Sequence, residues 1–311
     1  MYNKILITGG SGFLGSHLVP KCKKNYKVLA PRSKTFNLYD FNDTLTYLER
    51  HKPEVIIHGA AYYGGIKINV EEPADIFYKN TMMTNNLYAA ASKSKSVKKI
   101  IQIGSACSYP GNVVGDMKEE DFWNGELHNS VESYGFSKKI QLVAQKAYYK
   151  QYGLEGNHLA LTNLYGENDV YNEYRSHVVA ALIKRFSDER NNPVITNWGD
   201  GSAIREFIYV KDAAEAISRF IDQPHDLDPV NIGTGVGTSI KQLADLTANY
   251  MNFHGRLEWD TSKPNGVARK VLDVSKMREK LPNFNPISFE VGLKLTIDWY
   301  LKNKKEADAR K

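Results

Sequence analysis

The chain has 311 residues, 42% of them hydrophobic and 24% charged, with a net charge of +6 and two cysteines. That length buries a sizeable core in one large or two closely joined domains, and it excludes a small scaffold held by disulfides. The basic residues fall in short dispersed groups, such as Lys21-Cys22-Lys23-Lys24 and Lys98-Lys99, without interleaved aromatics, so no nucleic-acid partner is expected. Cys22 and Cys107 lack the paired spacing of a zinc site, so reduced thiols and no metal are expected. The N-terminus reads without the pattern of a secretory leader, and no apolar run approaches the roughly eighteen residues of a membrane span. A cytoplasmic protein with no membrane partner is the expectation.

In chain order, the apolar run Lys4 to Thr8 is followed by Gly9-Gly10-Ser11-Gly12-Phe13-Leu14-Gly15 and a helical pattern from Ser16. This is strand, glycine turn, helix. Further apolar runs lie at Lys27 to Ala30, Glu54 to Gly59, Lys99 to Gly104 and His158 to Thr162. Helical periodicity separates them, as at Phe41 to Arg50 and Ala74 to Ser92. Such alternation predicts an α/β protein with a Rossmann-type, doubly wound parallel sheet. Beyond Asn163 the pattern loosens into a helix from His177 to Phe186, a strand from Val194 to Trp198, a helix from Val210 to Ile221 and a short apolar segment, Val230 to Ile232. A strand at Gly255 to Asp260, a helix from Phe289 to Lys302 and a charged tail to Lys311, expected to be a frayed helix end, complete the chain. The expected division is a dinucleotide-binding domain of residues 1–163 plus 203–234, interleaved with a smaller C-terminal α/β substrate domain of residues 164–202 plus 235–311.

Gly9, Gly12 and Gly15 suit a tight turn, close approach to a diphosphate and packing of helix on strand, while the helix N-terminus offers amides to the anion. A site for NAD usually carries an acid at the end of the second strand, about 20 residues on. Here that stretch is Ala30-Pro31-Arg32-Ser33-Lys34, and the positive charge of Arg32 suits the 2′-phosphate of NADP(H).

Ser105 ends the fourth apolar run, and Tyr134 and Lys138 stand one turn apart on a predicted helix. An ammonium beside a phenol is expected to favour the phenolate and lower the tyrosine's pKa, making it an acid or base near neutrality, with Ser105 bonded to the same reacting oxygen. In the second half, Arg185 and Arg205 are forked cations suited to a diphosphate or to sugar oxygens, Trp198 offers an apolar face to a ring, and Lys270 adds a charge.

Over nearly its whole length the chain resembles the extended short-chain dehydrogenases and, among them, the GDP-L-fucose synthase family. The matching stretches are Ala60-Ala61-Tyr62-Tyr63-Gly64-Gly65-Ile66, Gly104 to Pro110, Thr162 to Gly166, Ser176-His177-Val178, Trp198 to Gly201 with Arg205-Glu206-Phe207, and Lys263 to Gly266 with Arg269-Lys270. The resemblance implies epimerisation at C3 and C5 of a nucleotide-linked 4-keto-6-deoxy sugar, then reduction at C4. Cys107 would be the base, His177 the acid and Tyr134 the proton donor to O4. It further implies cofactor contacts at Phe13, Leu14, Ala60, Ala61, Lys138, Leu161, Asn163, Leu164 and His177, substrate contacts that include Asn265, a GDP-linked substrate and a homodimer. Ser108, Leu161 and Asn265 depart from the family's usual residues, which leaves open a related GDP-linked deoxy sugar or heptose. A 4-ketoreductase without epimerisation and a non-catalytic NADP-binding regulatory protein are the competing expectations.

Overall fold

The computed structural model describes residues 2–172, 174–263 and 266–310, apart from the side chain of Ile66. Strand β1 (Lys4–Thr8) turns into helix α1 (Phe13–Cys22). There follow β2 (Lys27–Leu29), α2 (Phe41–His51), β3 (Val55–His58), α3 (Ile66–Glu71), α4 (Pro73–Lys93), β4 (Lys99–Ser105), α5 (Glu132–Tyr152) and β5 (Glu155–Leu161). Next come β6 (Asn163–Tyr165), α6 (Val178–Asp188), β7 (Val194–Trp198), β8 (Ile204–Tyr209), α7 (Val210–Arg219) and β9 (Pro229–Ile232). The chain continues through β10 (Gly237–Ser239), α8 (Ile240–Tyr250), β11 (Arg256–Asp260), β12 (Arg269–Lys270), α9 (Ser275–Lys280), α10 (Phe289–Lys302) and α11 (Lys304–Ala309).

The apolar runs form the large sheet, of order β2-β1-β3-β4-β5-β9, with every pair parallel. Its inner strands are apolar on both sides because both sides are covered. Ile5, Ile7, Ile57 and Ile101 pack with Leu18 of α1 and Ile217 of α7, while Leu6, Ile56 and Ile100 pack with Leu87 and Tyr88 of α4. Strand order reverses between β1 and β3, and in an open α/β sheet a ligand crevice opens outside the carboxyl ends of the strands at such a switch point.

The smaller sheet runs β10-β8-β12, with β6 also on β8, and β7 pairs with β11. Residues 203–234 therefore divide: β8 belongs to the smaller sheet, whereas α7 packs on α1 and β9 closes the large one. A second core of Tyr165, Phe186, Phe207, Leu243, Leu293 and Ile297 holds this part together. Helix α1 starts at Phe13, earlier than the expected Ser16. The tail is not a frayed end. Residues 304–309 form a separate helix, fixed by the buried Ala307 and by Lys304 Nζ on Asp188 at 2.8 Å and Asp308 at 3.0 Å. Among the described residues, no helix is long and apolar enough to cross a membrane.

Candidate active site

The glycine turn is built by backbone pressing on backbone. Gly9 has φ +71°, and a Cβ there would lie 2.8 Å from Ala60 N; a Cβ on Gly15 would lie 2.3 Å from Gly9 O. Gly12 N donates to Gly9 O at 3.0 Å. The loops after β1 and β3 thus meet at the switch point, fastened by Ala60 N donating to Thr8 Oγ1 at 3.1 Å. Helix α1 has Gly12 as an N-cap without a side-chain bond and no acid in its first turn, which leaves its leading amides for an anion. This cradle fits a dinucleotide diphosphate. Phe13 is buried and Leu14 packs on the core beneath the turn. Ala60 and Ala61 are half-buried, and Arg32 is exposed just beyond β2, where the charge expected for a 2′-phosphate stands. Leu161 is buried at the carboxyl end of β5, Asn163 Nδ2 donates to Glu206 O at 2.8 Å, and Leu164 packs against the main core.

At the end of β4, Ser105 caps a short turn: its Oγ accepts from Cys107 N at 3.1 Å. Helix α5 presses on this turn through Gly135, whose added Cβ would meet Cys107 O at 2.4 Å. Ser108, fully buried, donates to Gly135 O at 3.3 Å. Tyr134 is thereby held beside Cys107. Lys138, one turn along, puts Nζ 5.6 Å from the Tyr134 ring centroid and donates to Ile103 O at 2.8 Å.

The electrostatics differ from the sequence expectation. Burial, with smaller effects from Cys107 and Tyr63, raises the pKa of Tyr134 rather than lowering it. The ammonium that was to lower it is itself destabilised, since burial brings Lys138 to about 7. A group close to losing its charge near neutrality does little to hold a phenolate.

His177 is the N-cap of α6, but its side chain makes no capping bond. Its ring instead stacks on Tyr63, with centroids 5.8 Å apart and planes 15° from parallel. The loop of residues 64–65 brings Tyr63 there by lying against residues 175–176: Gly65 N donates to Arg175 O at 3.1 Å, and a Cβ on Gly65 would fall 2.7 Å from Ser176 O. Burial lowers the pKa of His177, so its protonated form is scarcer and a stronger acid. Tyr63 is pushed up to about 12, chiefly by burial.

The smaller sheet contributes from the other side. Lys270 pairs in register with Arg205 across β12 and β8, and Lys270 Nζ donates to Cys107 Sγ at 3.3 Å. Arg205 Nη1 donates to Ile204 O at 2.8 Å and Val267 O at 2.6 Å. Its neighbour Glu206 is fully buried and accepts from Gly235 N at 2.8 Å and Leu272 N at 2.7 Å, tying β8 to the loop after β9 and to the chain leaving β12.

Ser105, Cys107, Tyr134, Lys138, Lys270 and Arg205 are therefore brought together, and Tyr63 links His177 to them. Arg185 and Trp198 form a second group. Arg185 binds Glu189 at 3.3 Å, Asn197 at 3.3 Å and the Thr196 carbonyl, and Trp198 beside them is 73% exposed. Among the described residues, no hydrogen bond or ring contact joins this group to Cys107. Asn265 lies outside the described residues. The sequence reading assigned no role to Tyr63 or Glu206, although both lie in stretches that carried the resemblance. A glutamate between Arg205 and Phe207 in an otherwise apolar strand was the available sign of a buried carboxylate.

Residues 5–233 match the family model described as NAD dependent epimerase/dehydratase family. The GDP-L-fucose synthase of Escherichia coli (strain K12) is 32% identical over 314 residues, covering 97% of each chain. The GDP-L-colitose synthase of Yersinia pseudotuberculosis is 32% identical over 310 residues, covering 97% of this chain and 99% of its own. Among solved structures, a GDP-L-fucose synthetase from Naegleria fowleri bound to NADP superposes with a TM-score of 0.89 at 27% identity, covering 98% of this chain and 95% of that one. With the family model spanning the glycine turn and the Ser105–Lys138 cluster, and relatives matched end to end, the chain belongs to the NAD dependent epimerase/dehydratase family and, within it, to the GDP-L-fucose synthase group.

Proposed function

We propose that the chain is an NADPH-dependent 3,5-epimerase and 4-reductase that converts GDP-4-keto-6-deoxy-D-mannose to GDP-L-fucose. The observation that carries this reading is that one residue, Cys107, bonds Ser105 through its amide and Lys270 of the smaller sheet through its sulfur, with Tyr134 near enough to interact with it. A ketone at C4 acidifies the C–H bonds at C3 and C5. Cys107 takes each proton, the electron pair passes onto O4 as an enolate, and His177 returns a proton to the opposite face. Ser105 and Tyr134 face O4 in the second reaction; Tyr134, kept protonated by burial, gives its proton there. NADPH, when bound, supplies the hydride for C4. The glycine turn would hold its diphosphate, Arg32 its 2′-phosphate, and Lys138 with residues 161–164 the nicotinamide end. Arg205, Lys270 and the Arg185–Trp198 group would receive the GDP-sugar.

The similarity to a colitose synthase supports a second reading, the same chemistry on a related GDP-linked deoxy sugar. Exposed Phe77 and Tyr78 of α4 and Phe136 and Val143 of α5 support pairing of two copies through these helices, and two free thiols suit the cytoplasm. A panel of GDP-linked 4-keto sugars, each incubated with NADPH and with NADH, tests the assignment. GDP-L-fucose formed preferentially with NADPH is expected. Preference for NADH, or turnover confined to a sugar that is not linked to GDP, would overturn it.

A further inference from the structure

A thiol is a poor base until it has lost its own proton, and the sulfur then carries a full charge that needs a cation close by. Among the described residues, three ionisable groups bear on Cys107. Tyr134 on α5 interacts with it electrostatically, as does Arg205 on β8, and Lys270 on β12 donates to the sulfur at 3.3 Å. The phenol cannot stabilise an anion by charge. Arg205 has its Nη1 committed to the carbonyls of Ile204 and Val267. Among the described residues, the hydrogen bond to the sulfur comes from Lys270.

The geometry points to Lys270 as a positioning residue for the base: reaching across from the smaller sheet, its ammonium pairs with the sulfur of Cys107 and holds the deprotonated thiol ready for the sugar. This role is distinct from the sugar-nucleotide contact expected of it, and it rests on the reading that Cys107 moves the proton. In each transfer the C–H bond breaks, an S–H bond forms and the negative charge passes from sulfur to O4. The Lys270–Cys107 pair is thereby discharged, and it forms again when the thiol gives up the proton. Because Lys270 lies on the smaller sheet and Cys107 on the turn that follows β4 of the large one, the pair forms only where these two parts meet.

Alkylation by iodoacetamide reads the pair without substrate or cofactor, since the sulfur displaces iodide only as the thiolate. Cys22 is 1% exposed, so in the folded chain Cys107 is the thiol that reacts, and mass spectrometry reports which one has. Lys270→Gln, which removes the ammonium 3.3 Å from the sulfur, is expected to slow alkylation of Cys107 at pH 7 by about tenfold. Lys270→Arg is expected to retain most of the rate. A Lys270→Gln rate that matches the wild type would overturn the proposal. If that variant is misfolded, shown by alkylation of Cys22, then Lys270→Met, which keeps the aliphatic stem, makes the same comparison under the same criterion. Failure of the base assignment would look different: normal solvent deuterium at C3 and C5 in Cys107→Ser, with the effect of Lys270 on alkylation intact.

Discussion

Tyr134 and Lys138 share a site that disfavours charge on either. Burial raises the tyrosine and brings the lysine to about 7, so before substrate binds the phenol holds its proton firmly and the amine holds its own loosely. That state suits proton donation to O4, in which Tyr134 needs to be an acid. Tyr134→Phe is therefore expected to cut the rate of C4 reduction by about 10²–10⁴-fold, the usual contribution of a positioned general acid. Exchange of solvent deuterium into C3 and C5 should persist, because Cys107 and His177 are untouched. NADPH consumption measures the first and mass analysis of recovered sugar the second. An unchanged reduction rate would remove Tyr134 from its assigned role.

At the scale of elements, the site depends on β8 being held to the loop after β9 of the large sheet and to the chain leaving β12, and the buried carboxylate of Glu206 does this. It accepts backbone amides from Thr234, Gly235 and Leu272, and an added Cβ at Gly233 would strike it. Glu206→Ala would leave three amides without partners, that of Leu272 buried and those of Thr234 and Gly235 partly so, and is expected to cost about 1–3 kcal/mol in urea unfolding, the penalty of one buried unpaired donor. A loss below about 0.5 kcal/mol, the scale of an ordinary surface change, would contradict it. Glu206 also shows where sequence reasoning stops. The long buried strands of the large sheet were legible because apolar runs alternate with helical periodicity, and Gly9, Gly12 and Gly15 were legible because their spacing has a steric cause. Strands β6, β10 and β12, of two or three residues, carry too little periodicity to register. Helix α8 was readable from its capping box, Ser239 with Gln242, and was overlooked. The contacts of Tyr63 with His177 and of Lys270 with Cys107 join segments far apart in the chain, which spacing alone cannot reveal.

Across the whole molecule, a row of polar residues lies under the site at one level of the large sheet: Thr8, His58, Gln102 and His158 pair in register on β1, β3, β4 and β5. Burial, aided by Lys138, takes both histidines down to about 3. An unfolded chain binds a proton at each from about pH 6.5 downward, so each histidine's contribution to stability falls as pH drops from 6.5 to 3. Asp169, pushed up to about 7 by burial, acts in the opposite sense between about 3.8 and 7, so total stability is a poor probe of one histidine. The difference between wild type and His158→Gln isolates it. Wild-type stability should gain on the variant with rising pH across that window, by at most about 1.4 kcal/mol per unit. Parallel curves would mean that His158 is not held neutral.

Helix α5 and the turn after β4 bring together Tyr134, the proposed acid, and Cys107, the proposed base, and the smaller sheet brings Lys270 to that thiol, so both reactions are assigned to one site. Turnover of GDP-4-keto-6-deoxy-D-mannose with NADPH in D2O tests this most directly. GDP-L-fucose carrying deuterium at C3 and C5 is the expected product. A reduced sugar with neither position labelled would mean reduction without epimerisation, and would contradict the role given to Cys107.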